Sequence, residues 1–193
     1  MLRMVDYLSE HPIRYVTLYG FSTENWGRPK EEVNGLFDLL ARFIDKELKY
    51  INEKNIQLRH LGRLEQLPEH LRKSIVRAVD ATKDNSRMTL NVAFNYGGRA
   101  EIVDAVNKIL REGVKPEEID ESTFEKYLYT AGLPPVDLLI LTGDEVRFSN
   151  FLIWQTAYSE YYLTDVLWPD FGKDDVEKAL VSYSQRKRRF GAL

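Results

Sequence analysis

The stretch that decides the fold is Tyr15–Tyr19, which reads YVTLY, together with residues 31–52, which follow it after a polar loop. Its five residues are β-branched, apolar or aromatic and too few for a surface helix, so they predict a buried strand. Along residues 31–52 the apolar side chains recur at helical spacing, which predicts one long amphipathic helix. These apolar residues are Val33, Leu36, Phe37, Leu40, Phe43, Ile44 and Leu48. The pattern is therefore a strand followed by a covering helix.

The same alternation continues through the rest of the chain. Further strands are predicted at Ile56–Leu61, Met88–Phe94 and Val136–Leu141, with a shorter one at Tyr161–Leu163. Helices are predicted at residues 1–11, 68–84, 99–112, 122–129, 150–157 and 173–188. Strands that alternate with helices in this way indicate right-handed crossovers and a parallel sheet. We expect an α/β fold in a single domain, residues 1–193, with a mainly parallel sheet flanked by helices.

Polar loops follow three of the predicted strands. They span Phe21–Arg28, Asn95–Arg99 and Thr142–Ser149. Open parallel sheets bind their ligands in the crevice beyond the carboxyl ends of the strands. We therefore expect these three loops to converge on one rim of the sheet and to form the functional site.

Composition excludes several classes of function. A formal net charge of -3 over 193 residues gives no reason to expect nucleic acid as a partner. The chain has no cysteine, which excludes disulfides, thiolate metal sites and a cysteine nucleophile and fits a cytoplasmic location. No apolar run in the sequence is long enough to span a bilayer.

The loop after the first strand is rich in groups that bind phosphate. Arg28 can hold a diphosphate through a fork of hydrogen bonds, while Ser22 and Asn25 add neutral donors that orient it. The structural alternative is a helix-capping loop, in which Ser22 or Thr23 caps the next helix and Trp26 folds onto the surface. The loop alone does not decide between the two.

A second candidate segment lies near the fourth strand. Arg147 and Ser149 precede the helix predicted at residues 150–157, whose N-terminal amides would favour an anion. Glu160 would ligate a divalent cation that bridges the same diphosphate, because Mg2+ prefers one or two carboxylates plus phosphate oxygens. The alternative is that Arg147 pairs with Asp144 or Glu145 on the surface and that Glu160 is a solvated carboxylate at a strand end.

Taken together, five ordered motifs resemble those of the cis-prenyltransferases, the family best known from undecaprenyl diphosphate synthase. They cover nearly the whole chain, and they identify the family far more sharply than they identify a product length. The motifs are Phe21–Trp26 with Arg28 and Pro29, Asn95–Arg99, Arg147 with Ser149–Leu152 and Trp154, Asp165–Phe171, and Arg188–Gly191.

The resemblance implies a transferase that condenses isopentenyl diphosphate with an allylic diphosphate, using Mg2+, as a homodimer with peripheral membrane contact through its product. It implies that Asn25 acts near proton removal and that Glu160 is the metal ligand. It also implies a C-terminal Arg189–Gly191 segment that reaches the partner's active site. The implied substrate-binding residues are Ser22, Thr23, Glu24, Trp26, Arg28, Arg147, Phe148 and Ser149.

The chain departs from the family pattern in two places. Family members begin with a strand and an Asp-Gly-Asn loop, and we expect this chain to lack both, together with the metal-binding aspartate of that loop. Leu141 stands where the family has the arginine of an Arg-Thr-Gly motif, and Asp144 stands where glycine is usual. Two alternatives follow, namely a non-catalytic partner subunit of a heteromeric cis-prenyltransferase and a nucleotide- or phosphate-binding α/β module.

Overall fold

A computed structural model describes residues 2–186 of the chain. These residues form two compact units, which we name the central unit, residues 13–133, and the terminal unit, residues 2–12 and 134–186. Both contain parallel strands and helices, so the α/β fold class is confirmed. In chain order the elements are α1 (Leu2–Ser9), β1 (Tyr15–Ser22), α2 (Lys30–Glu53), β2 (Ile56–Leu61), α3 (Glu69–Ala81), β3 (Met88–Tyr96), α4 (Gly98–Glu112), α5 (Glu121–Glu125), β4 (Leu138–Leu141), β5 (Glu160–Leu163) and α6 (Lys173–Ser184).

The central unit is built on a three-stranded parallel sheet in the order β1-β3-β2. Leu90 of β3 lies opposite Val16 of β1 on one side and Leu58 of β2 on the other. Because β3 has a strand on each side, it is the most deeply buried, and seven of its nine residues are buried. Because β1 and β2 both run parallel to β3, the carboxyl ends of the three strands lie at the same edge of the sheet.

Helices α2 and α3 cover this sheet through an apolar core. Phe37 of α2 and Leu71 of α3 are almost completely buried, and Phe21 and Phe94 from the strand ends join them. The ring of Phe21 lies 5.1 Å from that of Phe94 and 5.3 Å from that of Phe37, measured between centroids. The helical spacing of the apolar residues along residues 31–52 is thus used mainly for core packing.

The terminal unit contains a separate two-stranded parallel sheet. Strands β4 and β5 pair in register from Leu138–Glu160 to Leu141–Leu163, and helix α1 packs against α6. Val136–Leu141 was expected to extend one common sheet, and this expectation is wrong because the ladder partner of β4 is β5. No helix within residues 2–186 is both long and apolar enough to cross a membrane.

One predicted helix is absent. Residues 150–157 form successive turns, in which the Phe151 amide donates to Phe148 O at 2.8 Å. Ser149, Asn150 and Leu152 have φ angles of 47°, 61° and 47°, which a right-handed helix cannot contain. The prediction that a helix N-terminus after Ser149 attracts an anion is therefore wrong. The helix predicted at residues 122–129 is also shorter, since α5 ends at Glu125.

Candidate active site

The segment Ser22–Arg28, which we name the β1 loop, is a tight turn with an internal bond. Its middle residues form one 3-10 turn, and the Ser22 amide donates to Asn25 Oδ1 at 2.9 Å. The Arg28 amide donates to Asn25 O at 3.1 Å, which closes the same turn. Because both its backbone and its side chain take part, Asn25 is oriented by the loop itself.

Trp26 fastens the β1 loop to the sheet. Its indole Nε1–H donates to Asn95 Oδ1 at 2.7 Å, and its ring packs edge-on against Phe21 and Phe37. The residue is still 40% exposed. Trp26 therefore lies partly at the surface, as the structural alternative expected, but its indole N–H is hydrogen-bonded to a buried residue.

Asn95 is the residue that sequence reasoning missed. It is fully buried and has a φ of 53°, and its Nδ2 donates to Arg63 O at 2.9 Å and to Gln66 Oε1 at 3.2 Å. The loops after β1 and β2 therefore meet at one side chain near the end of β3, so the expected convergence of Phe21–Arg28 with the start of Asn95–Arg99 is confirmed. Asn95 and Tyr96 themselves belong to β3 and not to a loop. The Asn-Tyr-Gly-Gly turn was the available signal, but it did not indicate a bond to a residue 69 positions away.

Arg28, Thr23 and Glu24 form hydrogen bonds at the surface of the β1 loop. Arg28 Nη1 lies 2.9 Å from Glu32 Oε1, and Thr23 Oγ1 donates to Glu24 Oε2 at 3.1 Å. An exposed ion pair of this kind contributes about 0–1 kcal/mol, so an anionic ligand can compete for Arg28. Beneath the loop, burial and the charge of Glu24 raise the pKa of Tyr19 to about 12, which keeps its hydroxyl protonated as a donor.

A polar framework extends away from Asn95 along the end of β2. Arg63 donates two hydrogen bonds to Asp104 of α4, from Nε to Oδ2 at 2.8 Å and from Nη2 to Oδ1 at 2.9 Å. The Tyr129 hydroxyl donates to the same carboxylate. The hydrogen bond from Arg63 lowers the pKa of Asp104, while burial and then Asp104 raise the pKa of Tyr129. Asp104 is thus ionised at neutral pH and Tyr129 is its neutral donor.

The charged side chains near the two ends of the second candidate segment, residues 145–160, form ion pairs. The Arg147 guanidinium lies 2.8 Å from the Glu145 carboxylate, and its side chain is 73% exposed. This is the surface pairing that the structural alternative predicted. The ring of Phe148 lies edge-on to that of Tyr161, 5.1 Å away, and Ser149 takes the left-handed φ described above.

Glu160 is the first residue of β5, and it is hydrogen-bonded to the backbone before β4 and ion-paired with an arginine side chain. Its amide donates to Asp137 O at 2.9 Å, and its Oε2 accepts from Arg186 Nη1 at 2.7 Å. Within residues 2–186, no group of three or more His, Cys, Asp or Glu side chains could hold a metal ion. Glu160 fits the single carboxylate that Mg2+ takes when substrate phosphates supply further ligands.

Leu141 and Asp144, which stand where the family has arginine and glycine, have a clear structural setting. Leu141 ends β4 opposite Leu163, so an apolar residue occupies that position in the ladder. Gly143 and Asp144 both have positive φ angles, 75° and 58°, and bond to the backbone that follows β5. Aspartate tolerates this left-handed region better than most residues, which accounts for its presence where glycine is usual.

The predicted site residues are distributed over both units. Ser22, Thr23, Glu24, Asn25, Trp26 and Arg28 belong to the central unit, and Arg147, Phe148, Ser149 and Glu160 belong to the terminal unit. Within the central unit the structure brings the β1 loop together with Asn95. Arg189–Gly191, which the resemblance assigned to the partner's active site, lies outside the described residues.

The chain is similar in sequence to characterised groups of transferases. The prenyltransferase family model, described as undecaprenyl diphosphate synthase, matches residues 1–191. An isoprenyl transferase of Fusobacterium nucleatum is 50% identical over 191 residues, which cover 99% of this chain and 82% of that protein. The ditrans,polycis-undecaprenyl-diphosphate synthase of Micrococcus luteus is 43% identical over 195 residues, covering 99% and 78%. Neither name supports the alternative of a non-catalytic partner subunit.

Solved structures agree with this similarity. Lavandulyl diphosphate synthase from Lavandula x intermedia, in complex with dimethylallyl diphosphate, has a TM-score of 0.93 and 36% identity over 98% of this chain and 84% of that chain. A probable undecaprenyl diphosphate synthase from Campylobacter jejuni has a TM-score of 0.88 and 32% identity, covering 97% and 88%. The chain therefore belongs to the undecaprenyl diphosphate synthase family of prenyltransferases.

Proposed function

We propose that this chain is a cis-prenyltransferase that condenses isopentenyl diphosphate with an allylic prenyl diphosphate. In this reaction the allylic carbon–oxygen bond breaks, a carbon–carbon bond forms to the isopentenyl double bond, and a proton leaves the isopentenyl unit. The products are diphosphate and a longer allylic diphosphate. The family assignment supports this proposal, and the observation that carries it is the β1 loop, where Asn25 is oriented before any ligand arrives.

Asn25 would act at the step in which the proton leaves. A neutral amide is not basic, so we assign it the role of orienting the proton acceptor, for which the departing diphosphate is the available base. Its Oδ1 is already bound to the Ser22 amide, which fixes the direction of the whole side-chain amide. Ser22, Thr23, Glu24, Trp26 and Arg28 would form the substrate-binding surface around it.

Arg147, Phe148 and Ser149 would hold the isopentenyl diphosphate. A guanidinium binds a diphosphate with paired hydrogen bonds, which are stronger than neutral ones. Arg147 is exposed, and the ion-pair partner that it has within residues 2–186 is the Glu145 carboxylate, so a doubly charged phosphate group can displace that partner. The hydroxyl of Ser149 would add a neutral donor beside it.

Glu160 would hold Mg2+ together with oxygens of the bound diphosphates. When bound, the cation would neutralise the charge that develops on the leaving diphosphate. Glu160 is at present paired with Arg186, so this arginine must turn away for the carboxylate to accept a metal.

The test is elongation by the purified chain. It is incubated with farnesyl diphosphate, radiolabelled isopentenyl diphosphate and either Mg2+ or EDTA, and the organic extract is analysed by chromatography and by NMR of the new double bonds. We expect labelled product with cis double bonds only when both substrates and the metal are present. An absence of labelled product with micromolar protein and saturating substrates would contradict the proposal.

We also propose that the protein works as a cytoplasmic homodimer that meets the membrane surface through its apolar product. An exposed apolar stripe on α4 supports the dimer, since Val103, Val106 and Leu110 recur on one helical face. Sedimentation equilibrium of the wild-type chain and of Leu110→Lys tests it. We expect a dimer that the substitution weakens, and a monomeric wild type would contradict this assignment.

A further inference from the structure

We infer that Asn95 is the positioning residue of the β1 loop, holding Trp26 so that the neighbouring substrate-binding groups stand ready before substrate arrives. The inference rests on the proposed function for what the loop binds, but its structural part concerns Asn95 and Trp26 alone. Asn95 lies at the end of β3 and does not belong to the loop. It therefore acts through Trp26 and is not itself placed at the reacting atoms.

The hydrogen-bonding capacity of the two side chains fixes the direction of the Asn95 amide. The indole Nε1–H of Trp26 can only donate, so Asn95 must present its oxygen to it, at 2.7 Å. The carbonyl of Arg63 can only accept, so Asn95 must present its nitrogen there, at 2.9 Å. The two partners require the same orientation, and the amide is therefore locked between the loop after β2 and the β1 loop.

The backbone around Asn95 is arranged to allow this. Asn95 has a φ of 53°, a left-handed conformation that asparagine tolerates better than most residues. A Cβ at Gly62 would lie 2.4 Å from Phe94 O and 2.7 Å from Asn95 O, so only glycine lets the loop after β2 come this close. The Arg63 amide then donates to Asn95 O at 3.0 Å, which holds the turn from the other side.

The burial of the two partners differs, and this difference indicates the direction of the effect. Asn95 has no exposed surface, whereas 40% of Trp26 is exposed. A hydrogen bond in a buried setting is costly to lose, while the exposed end of the indole is free to meet a ligand. Asn95 is thus the fixed anchor, and the β1 loop is the part that it orders.

The experiment compares Asn95→Gly with wild type, because glycine keeps the left-handed backbone relaxed and removes only the side chain. Without the anchor, substrate must itself order the loop, so we expect the KM for one or both substrate diphosphates to rise about ten-fold. A merely structural role would instead reduce the active fraction, which lowers the maximal rate and leaves KM unchanged. Unchanged KM values would overturn the inference.

Asn91→Gly is the matched control. Asn91 is buried in the same strand, but its Nδ2 contacts Val16 O at 3.3 Å and Thr17 Oγ1 at 3.2 Å, away from the β1 loop. We expect this variant to melt at a lower temperature than wild type with KM values within about two-fold. An equal rise in KM in Asn91→Gly would show that general destabilisation suffices and would overturn the inference.

Trp26→Phe completes a double-mutant cycle. Phenylalanine keeps the aromatic packing and removes the indole N–H, so the effects of Trp26→Phe and Asn95→Gly on KM should overlap and not multiply. If Asn95→Gly does not fold, Trp26→Phe alone decides, because an unchanged KM in this variant would overturn the inference. Fully multiplicative effects in the cycle would do so as well.

A spectroscopic readout separates this inference from the proposed function. The chain has three tryptophans, and the indole N–H signal that is lost in Trp26→Phe identifies Trp26 in a nitrogen–proton correlation spectrum. We expect that signal to exchange slowly with deuterium in wild type and Asn91→Gly and rapidly in Asn95→Gly. If wild type makes no product, the proposed function fails, while rapid exchange in wild type would overturn the anchoring by Asn95.

Discussion

The β1 loop and the segment at residues 145–160 both carry polar groups assigned to diphosphates, but they are held in opposite ways. In the β1 loop, Asn25 is bonded within the turn and Trp26 is bonded to the buried Asn95. In the second segment, Arg147 and Glu160 are held by the charged side chains Glu145 and Arg186. The first arrangement is fixed by the fold, and the second is held by partners that a charged ligand can replace.

This contrast suggests a division of work between the two regions. Groups that act in the chemical step benefit from being fixed beforehand, because no reorganisation is then needed during the reaction. Groups that capture a charged substrate can exchange a weak ion pair for a stronger one, which costs little. We therefore expect substitution of Asn25, the β1-loop group assigned to the chemical step, to change the rate at saturation, and substitutions of Arg147 and Glu160 to change concentration dependences.

The largest of these effects on concentration dependence should come from Arg147→Gln. Loss of a paired, charge-assisted interaction should raise the KM for isopentenyl diphosphate on the order of 100-fold, with a smaller change in kcat. Glu145→Gln should lower that KM, because it frees Arg147 from its resting partner. The measurement is steady-state kinetics with labelled isopentenyl diphosphate.

Arg72→Gln is the control for Arg147→Gln, since Arg72 also forms an exposed pair, at 3.4 Å from Glu65. Its kinetic constants should match those of wild type. A fall in kcat at unchanged KM in Arg147→Gln would break the comparison, because it would place this arginine in the chemical step.

Glu160 and Arg186 provide the next test. Glu160→Gln should raise the Mg2+ concentration needed for half-maximal activity about ten-fold, because a neutral amide is a poorer ligand than a carboxylate. Arg186→Gln should lower that concentration, since the carboxylate no longer has to leave a cation. Titration of activity with Mg2+ at fixed substrate measures both, and an unchanged requirement in Glu160→Gln would remove it from the metal site.

The framework behind the β1 loop should depend on Asp104. Replacing it by asparagine removes the charge opposite Arg63, and we expect a loss of about 1 kcal/mol in the free energy of unfolding at pH 7. Arg63 lowers the pKa of Asp104, so this stabilisation is present above the ordinary carboxyl pKa and is lost as pH falls through the lowered value.

Urea unfolding of wild type and Asp104→Asn at pH 7 and pH 3.5 measures this. The difference between the two proteins should shrink at the lower pH. An equal difference at both values would show that the charge of Asp104 is not the cause.

The smallest effect is expected at His60. Its Nε2–H donates to Phe94 O at 2.8 Å, and burial lowers its pKa below the ordinary value of 6.5. As the pH falls, the unfolded chain therefore binds a proton at His60 before the folded protein does. The stabilisation is full above pH 6.5 and is lost as the pH decreases from there through the lowered pKa. Between pH 7.5 and 5.5, the Tm of wild type should fall more than that of His60→Gln, by on the order of 1–3 °C. Parallel curves for the two proteins would contradict this.

Sequence patterns were a good guide to the central unit. The bounds of β2 were predicted as the structure has them, and α4 begins one residue before its predicted start. β2 buries Ile56, Leu58 and Leu61, so its apolar pattern and its burial coincide. In α4, however, Val103, Val106 and Leu110 are exposed while Glu101, Ala105 and Ile109 are buried, so apolar spacing located this helix without identifying its buried face. The surface pairing of Arg147 with Glu145 was also foreseen, because the two residues are close in sequence.

The incorrect and missing predictions have two physical causes. The turns at residues 150–157 contain the left-handed residues Asn150 and Leu152 and bury the side chains of Phe151 and Leu152, and apolar spacing carries no information about the sign of φ. The bond from Trp26 to Asn95 joins residues 69 positions apart, and only the register of β1 against β3 brings them together. Long-range polar contacts of this kind follow from the packed sheet and not from a local pattern.

The most direct test of the contrast is a single-turnover measurement by rapid quench, with enzyme in excess over farnesyl diphosphate and with labelled isopentenyl diphosphate varied. For Asn25→Ala we predict a rate at saturation on the order of 100-fold lower than wild type, with an unchanged half-saturating concentration. For Arg147→Gln we predict the reverse, a raised half-saturating concentration with a saturated rate close to that of wild type. Exchange of these two signatures between the variants would contradict the account.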